Sequence, residues 1–228
     1  MMLHVQNIDV YYGVYQALFG VSLKVKKGEI VCIVGRNASG KTTLLRSIMG
    51  MVHVKRGAII FRGENITNEA PYKIAEKGIA YIPPVGEEVF NELTVRENLL
   101  LGGIKSRCRD INVALTYFPA LKGLLDRRAH TLSGGERRML SIARALMGKN
   151  ELLLLDEPSE GLAPIMVMAV RDVLRKVNEE GVTLLLAEQN TKLAMELADR
   201  IYVMQDGEVK DEGTVEEVRT SLKKYLFV

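Results

Sequence analysis

Gly35-Arg36-Asn37-Ala38-Ser39-Gly40-Lys41-Thr42 has the spacing G-x-x-x-x-G-K-[ST], which can cradle a phosphate. Glycine lets successive backbone N–H groups turn inward, and a following helix offers its positive N-terminus. Lys41 can bridge phosphate oxygens, and the Thr42 hydroxyl can ligate Mg²⁺. A second run, Leu152-Leu153-Leu154-Leu155-Asp156-Glu157, ends an apolar segment in two adjacent carboxylates. By itself this could be a solvated acidic strand end. Beside a phosphate loop, Asp156 can hold Mg²⁺ through its water shell, while Glu157 faces the space from which water would attack a γ-phosphate. The third run is Leu132-Ser133-Gly134-Gly135-Glu136. Ser133 and Glu136 form an S-x-x-E capping box, and the paired glycines suit close approach of an anion to a helix N-terminus. On residue chemistry alone, a plain capped helix and an anion site both remain open.

Positioning these groups requires a strand before each loop and a helix after it. Ile30 to Val34 is a continuous apolar run, as in strands buried on both faces of a parallel sheet. It leads into the glycine loop and then into a helix carrying Leu44, Leu45, Ile48 and Met49 at helical spacing. Residues 1–30 alternate in polarity, with breaks at Gly13, Gly20 and Gly28, and predict antiparallel strands joined by turns. Residues 86–147 read as mainly helical, irregular around Arg107 and Arg128. Their last helix carries the stripe Met139, Leu140, Ile142, Ala143, Leu146 and Met147. A strand at Leu152–Leu155, a helix from Pro164 to Asn178, a strand at Val182–Ala187 and a helix from Thr191 to Ala198 follow. This alternation predicts a parallel sheet with crossover helices. Asp206-Gly207 marks a hairpin. The predicted class is α/β, with an N-terminal antiparallel β region. The expected division places a core in 1–85 and 148–228 and a helical subdomain in 86–147.

Composition is that of an ordinary globular chain: 228 residues, 47% hydrophobic and 26% charged. The net charge of +3, from 31 basic and 28 acidic residues, gives no electrostatic reason to expect nucleic-acid binding. Cys32 and Cys108 are too few and too far apart for a disulfide framework, and the first residues show no secretory pattern. No apolar run approaches the roughly 20 residues of a membrane helix. A cytosolic location is therefore expected. His4, His53 and His130 lack metal-ligand spacing, and the ten methionines read as core filler. The terminal Lys223-Lys224-Tyr225-Leu226-Phe227-Val228 is expected to pack rather than to meet lipid or a partner.

The phosphate loop, LSGGE and LLLLDEP, in that order, resemble the ATP-binding cassette superfamily across essentially the whole chain. Pro158-Ser159-Glu160-Gly161-Leu162-Ala163-Pro164 and Ala187-Glu188-Gln189-Asn190 further resemble the ATPase branch of branched-chain amino-acid importers. The resemblance implies a P-loop NTPase fold, with ATP and Mg²⁺ bound by Gly35, Arg36, Asn37, Ala38, Ser39, Gly40, Lys41, Thr42, Thr43 and Asp156. It implies Tyr12 against adenine and Glu157 with Gln189 as catalytic residues. It also implies a head-to-tail pair in which Ser133, Gly134 and Gly135 meet the partner's nucleotide, beneath transmembrane permease subunits on the cytoplasmic face of the membrane.

Four positions depart from the superfamily pattern. The glutamine expected shortly after Tyr81 is missing, and Val85 is nearest in register. Gln189 stands for the usual switch histidine, and Ala163 for a common aspartate. Ala38 replaces a common glycine, a mild change provided that position does not need positive φ. A soluble cassette in DNA repair or translation usually carries a coiled-coil insertion or a tandem cassette, and neither is present. An ATP-binding regulatory module with little turnover is the remaining alternative.

Overall fold

The computed structural model describes residues 1–84, 86 and 89–226, without the side chains of residues 223, 225 and 226. The expectations for Val85 and for the chain terminus therefore lie largely outside the described residues.

The chain opens with β1 (Leu3–Tyr12) and β2 (Tyr15–Val25), antiparallel neighbours. With β4 (Val54–Phe61) and β5 (Glu64–Asn65) they form a sheet of order β2-β1-β4-β5. Gly13 and Gly28 lie at turns, but Gly20 does not break the strand as the sequence suggested. It stays inside β2 at φ +58°, where the pairing with β1 shifts register. A bulge absorbs the extra residue, and glycine supplies the left-handed backbone it needs.

The second sheet combines β3 (Ile30–Val34), β6 (Ile79–Ile82), β7 (Leu152–Asp156), β8 (Thr183–Glu188), β9 (Arg200–Gln205) and β10 (Glu208–Gly213), in the order β10-β9-β3-β8-β7-β6. Strands β9, β3, β8, β7 and β6 pair in parallel, and β10 is joined to β9 by the Asp206-Gly207 hairpin. The uninterrupted apolar runs are explained by two cores. Ile30, Cys32 and Val34 enter one with Leu153, Leu155, Leu184 and Leu186, while Val31 and Ile33 enter the other with Leu152, Leu154 and Leu185. A strand flanked by cores on both faces has no polar side to show.

Helix α1 (Lys41–Ile48) packs beneath the sheet against β7 and β8, burying Leu44, Leu45 and Ile48. The short α2 (Pro71–Glu76) precedes β6. Between β6 and β7 come α3 (Val95–Gly102), α4 (Asn112–Leu115), two 3-10 turns and α5 (Gly134–Met147). Helix α5 begins with the anticipated box, Ser133 capping the Glu136 N–H while the Glu136 carboxylate takes the Ser133 N–H at 2.7 Å. Its stripe buries Met139, Leu140, Ile142, Ala143 and Met147 in the helical core. Helices α6 (Pro164–Glu179), α7 (Thr191–Leu197) and α8 (Arg219–Leu226) complete the chain. Among the described residues no helix is long and apolar enough to cross a membrane.

Candidate active site

Strands β3, β8 and β7 run parallel, so they end on the same edge of the sheet. The loops leaving them carry the three sets of polar residues that bear on the chemistry. At the first, Gly35 is boxed in: a Cβ there would lie 2.4 Å from Ser39 Oγ and 2.5 Å from the Met204 carbonyl, so only glycine fits. Gly40 takes φ +101° directly before α1. Ala38 takes φ +62°. That corrects the expectation of a mild change, because the position does use the left-handed region, where an L-residue is strained. Ser39 is buried, and its Oγ has no hydrogen-bond partner.

Lys41 is not a surface lysine. It is 3% exposed, and its Nζ donates to the carbonyls of Gly35 at 3.0 Å and Arg36 at 3.1 Å and lies 3.2 Å from Glu157 Oε1. Thr42 Oγ1 donates to Asp156 Oδ1 at 3.1 Å, joining the start of α1 to the end of β7. Tyr81 OH donates to the other Asp156 oxygen at 2.9 Å. Burial pushes the Asp156 carboxyl above its ordinary value, and the hydrogen bonds from Tyr81 and Thr42 pull it back only in part. Burial and the Asp156 charge also push the Tyr81 phenol well up, so it stays a donor.

Glu157, just past β7, has φ +46°, a strained conformation for a glutamate. It is held by its own N–H to the Ala187 carbonyl at 2.8 Å, by Arg138 Nη2 on its carbonyl at 3.1 Å and by Lys41 on its carboxylate. Arg138 is fully buried and also donates to the Pro83 carbonyl at 2.8 Å, so α5 is keyed to the acidic loop. Neither Tyr81 nor Arg138 was singled out from the sequence. Arg138 had a legible signal: it precedes Ile142 by one helical repeat and so falls within the buried stripe.

A cleft of about 680 Å³ gathers Tyr12, Asn37, Ala38, Ser39, Gly40, Lys41, Thr42, Thr43 and Glu157. Tyr12 stands at its mouth, 49% exposed. Gly35 and Arg36 do not line it, Gly35 lying beneath the loop and Arg36 facing solvent. Asp156 lies beneath Thr42. Gln189 is exposed beside a smaller recess of about 280 Å³ that it shares with Glu157, Ser159 and Glu188. Ser133, Gly134 and Gly135 do not line the cleft; Gly135 lies against Met166.

The residues present suit a nucleotide polyphosphate. An unpartnered buried Ser39 hydroxyl, a lysine with carbonyls as partners and a helix N-terminus converge on one concavity. The Thr42 hydroxyl and Asp156 carboxylate are hard oxygen donors. Among the described residues no group of three or more His, Cys, Asp or Glu side chains could cage a metal alone. The Thr42 and Asp156 oxygens would suit a hard cation such as Mg²⁺, which keeps waters and leans on substrate phosphates.

These features define an α/β nucleotide-binding cassette with an antiparallel β region and a helical insertion. The ABC transporter family model matches residues 18–160. The chain is 45% identical to the "High-affinity branched-chain amino acid transport ATP-binding protein BraG" of Pseudomonas aeruginosa, over 91% of each chain. It is 39% identical to the "Probable branched-chain amino acid transport ATP-binding protein LivF" of Archaeoglobus fulgidus, over 95% of this chain and 94% of that one. Among solved structures, a nucleotide-free ATP-binding cassette from an ABC transporter superposes with TM-score 0.88 at 30% identity, covering 100% of this chain and 98% of that chain. The chain belongs to the ABC transporter family, and it is an ATP-hydrolysing subunit.

Proposed function

We propose that this chain is the ATPase of an importer for branched-chain amino acids or related small solutes, working on the cytoplasmic face beneath transmembrane permease subunits. The observation that carries this reading is the meeting of Lys41, Thr42 and Glu157 in one cleft, with Asp156 bonded to Thr42 beneath it, in a chain 45% identical to a branched-chain amino-acid transport ATP-binding protein.

In this reading the backbone N–H groups of Gly40 to Thr43 and the Ser39 hydroxyl hold the phosphates of ATP. Lys41 exchanges the Glu157 carboxylate and the two carbonyls for phosphate oxygens, one set of acceptors for another. Thr42 and Asp156 hold Mg²⁺, which would offset negative charge on the phosphates. Glu157, released from Lys41, orients and deprotonates water, and Gln189 donates a hydrogen bond toward the γ-phosphate. Tyr12 covers the base. Ser133, Gly134 and Gly135, which do not line this cleft, meet the nucleotide of a second subunit arranged head to tail, carried there by residues 86–147 as a helical subdomain.

Glu157→Gln removes the carboxylate at constant volume, so turnover should fall roughly 10²–10⁴-fold while ATP binding survives. The variant should accumulate as an ATP-dependent dimer on gel filtration. A variant that stays monomeric at saturating ATP and hydrolyses normally would refute both the role and the paired site. Co-purification from membranes, followed by identification of the bound permease, tests the transport assignment.

A further inference from the structure

Glu188 ends β8 one residue before Gln189, and it is 1% exposed. Its carboxylate collects three donors. Oε1 accepts the Ser159 N–H at 3.0 Å, while Oε2 accepts the Ser159 hydroxyl at 3.0 Å and the Asn190 N–H at 3.2 Å. Ser159 is the second residue after Glu157, and Asn190 is the first after Gln189. One buried side chain thus fastens the loop that carries Glu157 to the loop that carries Gln189.

A carboxylate suits this junction better than a carboxamide. It accepts through both oxygens, whereas a carboxamide has one acceptor oxygen and would turn an NH₂ group toward one of two backbone donors. Burying a carboxylate costs stability unless its lone pairs are satisfied, and here three donors satisfy them. Glu157 also needs anchoring, because its φ of +46° persists only where the surroundings impose it. Two backbone bonds, Glu157 N–H to the Ala187 carbonyl at 2.8 Å and Gly35 N–H to the Glu188 carbonyl at 3.3 Å, would survive any side-chain change at 188. Substitution therefore isolates the side-chain tie from the strand that bears it.

We infer that Glu188 is a positioning residue for hydrolysis, setting Glu157 and Gln189 relative to each other through Ser159 and Asn190 without touching the nucleotide. The inference rests on the reading of Glu157 and Gln189 as the reacting groups. It separates two functions of one edge of the sheet: the phosphate loop binds, and the Glu188 tie aligns.

The test measures kcat, KM and equilibrium ATP affinity on the full chain, with thermal unfolding alongside. Glu188→Gln is expected to lower kcat by up to about 10²-fold, the scale of a slight misplacement of reacting groups, while ATP affinity is retained. Ser159→Ala should lower kcat less, and Ser159→Thr, which keeps both donors, should recover most of that loss. The double variant Glu188→Gln/Ser159→Ala should lose little more than Glu188→Gln alone, because both changes break one tie. Unchanged kcat in Glu188→Gln, additive losses in the double variant, or affinity and kcat falling together would each overturn the inference. If Glu188→Gln fails to fold, the Ala and Thr variants of Ser159 decide: equal kcat in the two refutes the tie. Normal turnover in Glu157→Gln would instead refute the underlying active-site reading.

Discussion

Replacing Ala38 by glycine should stabilise the protein, against the usual expectation for glycine. Ala38 has φ +62° and an exposed methyl group. Holding an L-residue in the left-handed region costs about 1–2 kcal/mol, a cost glycine does not bear. Glycine in turn gains freedom in the unfolded chain, which opposes the change by about 0.4–1 kcal/mol. The methyl group faces solvent, so its loss removes little apolar burial. The balance lies between about 0 and about 1.6 kcal/mol of stabilisation, centred near about 0.8, or about 2–3 °C in Tm for a chain of this size. Thermal unfolding of Ala38→Gly beside wild type, without nucleotide, measures it. Gly40→Ala is the opposing control: at φ +101°, with the new Cβ 2.8 Å from Leu18 Cδ2, it should cost about 1–3 kcal/mol. A lower Tm for Ala38→Gly would refute the reasoning, since relief of backbone strain could not then outweigh the freedom gained by the unfolded chain.

Lys41→Ala should abolish productive ATP binding, because Lys41 Nζ is the flexible cation placed at the phosphate loop and Glu157; nucleotide titration showing wild-type affinity would remove the phosphate-site assignment. Gln189→Ala should slow turnover more than it weakens ATP binding, because a donor to the γ-phosphate matters most as charge redistributes. Gln189→His should add a step in the rate between about pH 6 and 8 that wild type lacks at this position, and a flat profile in that variant would exclude contact with the reacting phosphate. Burial raises the Glu188 carboxyl above its ordinary value, against hydrogen bonds from Ser159 and Asn190. A raised pKa means that the native state holds the proton more tightly than the unfolded chain. The associated stability is full below the ordinary carboxylate pKa of about 4.3 and is lost as pH rises through the raised value. Glu188→Gln should therefore show a smaller decline in Tm as pH is raised from the ordinary carboxylate pKa of about 4.3; an unchanged decline would show that the ionisation of Glu188 does not contribute.

The sequence alone determined the local units, because each is encoded by neighbours along the chain. Strand, glycine loop and helix at 30–48, the capping box at Ser133 and Glu136, the hairpin at Asp206-Gly207 and the apolar strands at 30–34 and 152–155 depend on turn chemistry, capping and periodicity. Lys41, Thr42, Asp156 and Glu157 were legible for the same reason, since their chemistry sits in short runs with fixed spacing. What depends on the far side of a contact was not legible. Gly20 reads as a break, yet β2 continues through it because β1 supplies the pairing. Whether Ala38 is a mild change turns on its φ, which the sequence does not give and which is +62° in the folded loop. Tyr81, Arg138 and Glu188 lie 75, 18 and 29 residues from the partners that give them meaning, at Asp156, Asp156 and Ser159. Only the parallel pairing of β6, β7 and β8, which brings their ends to one edge of the sheet, turns a tyrosine, a stripe arginine and a strand-end glutamate into the frame of the site.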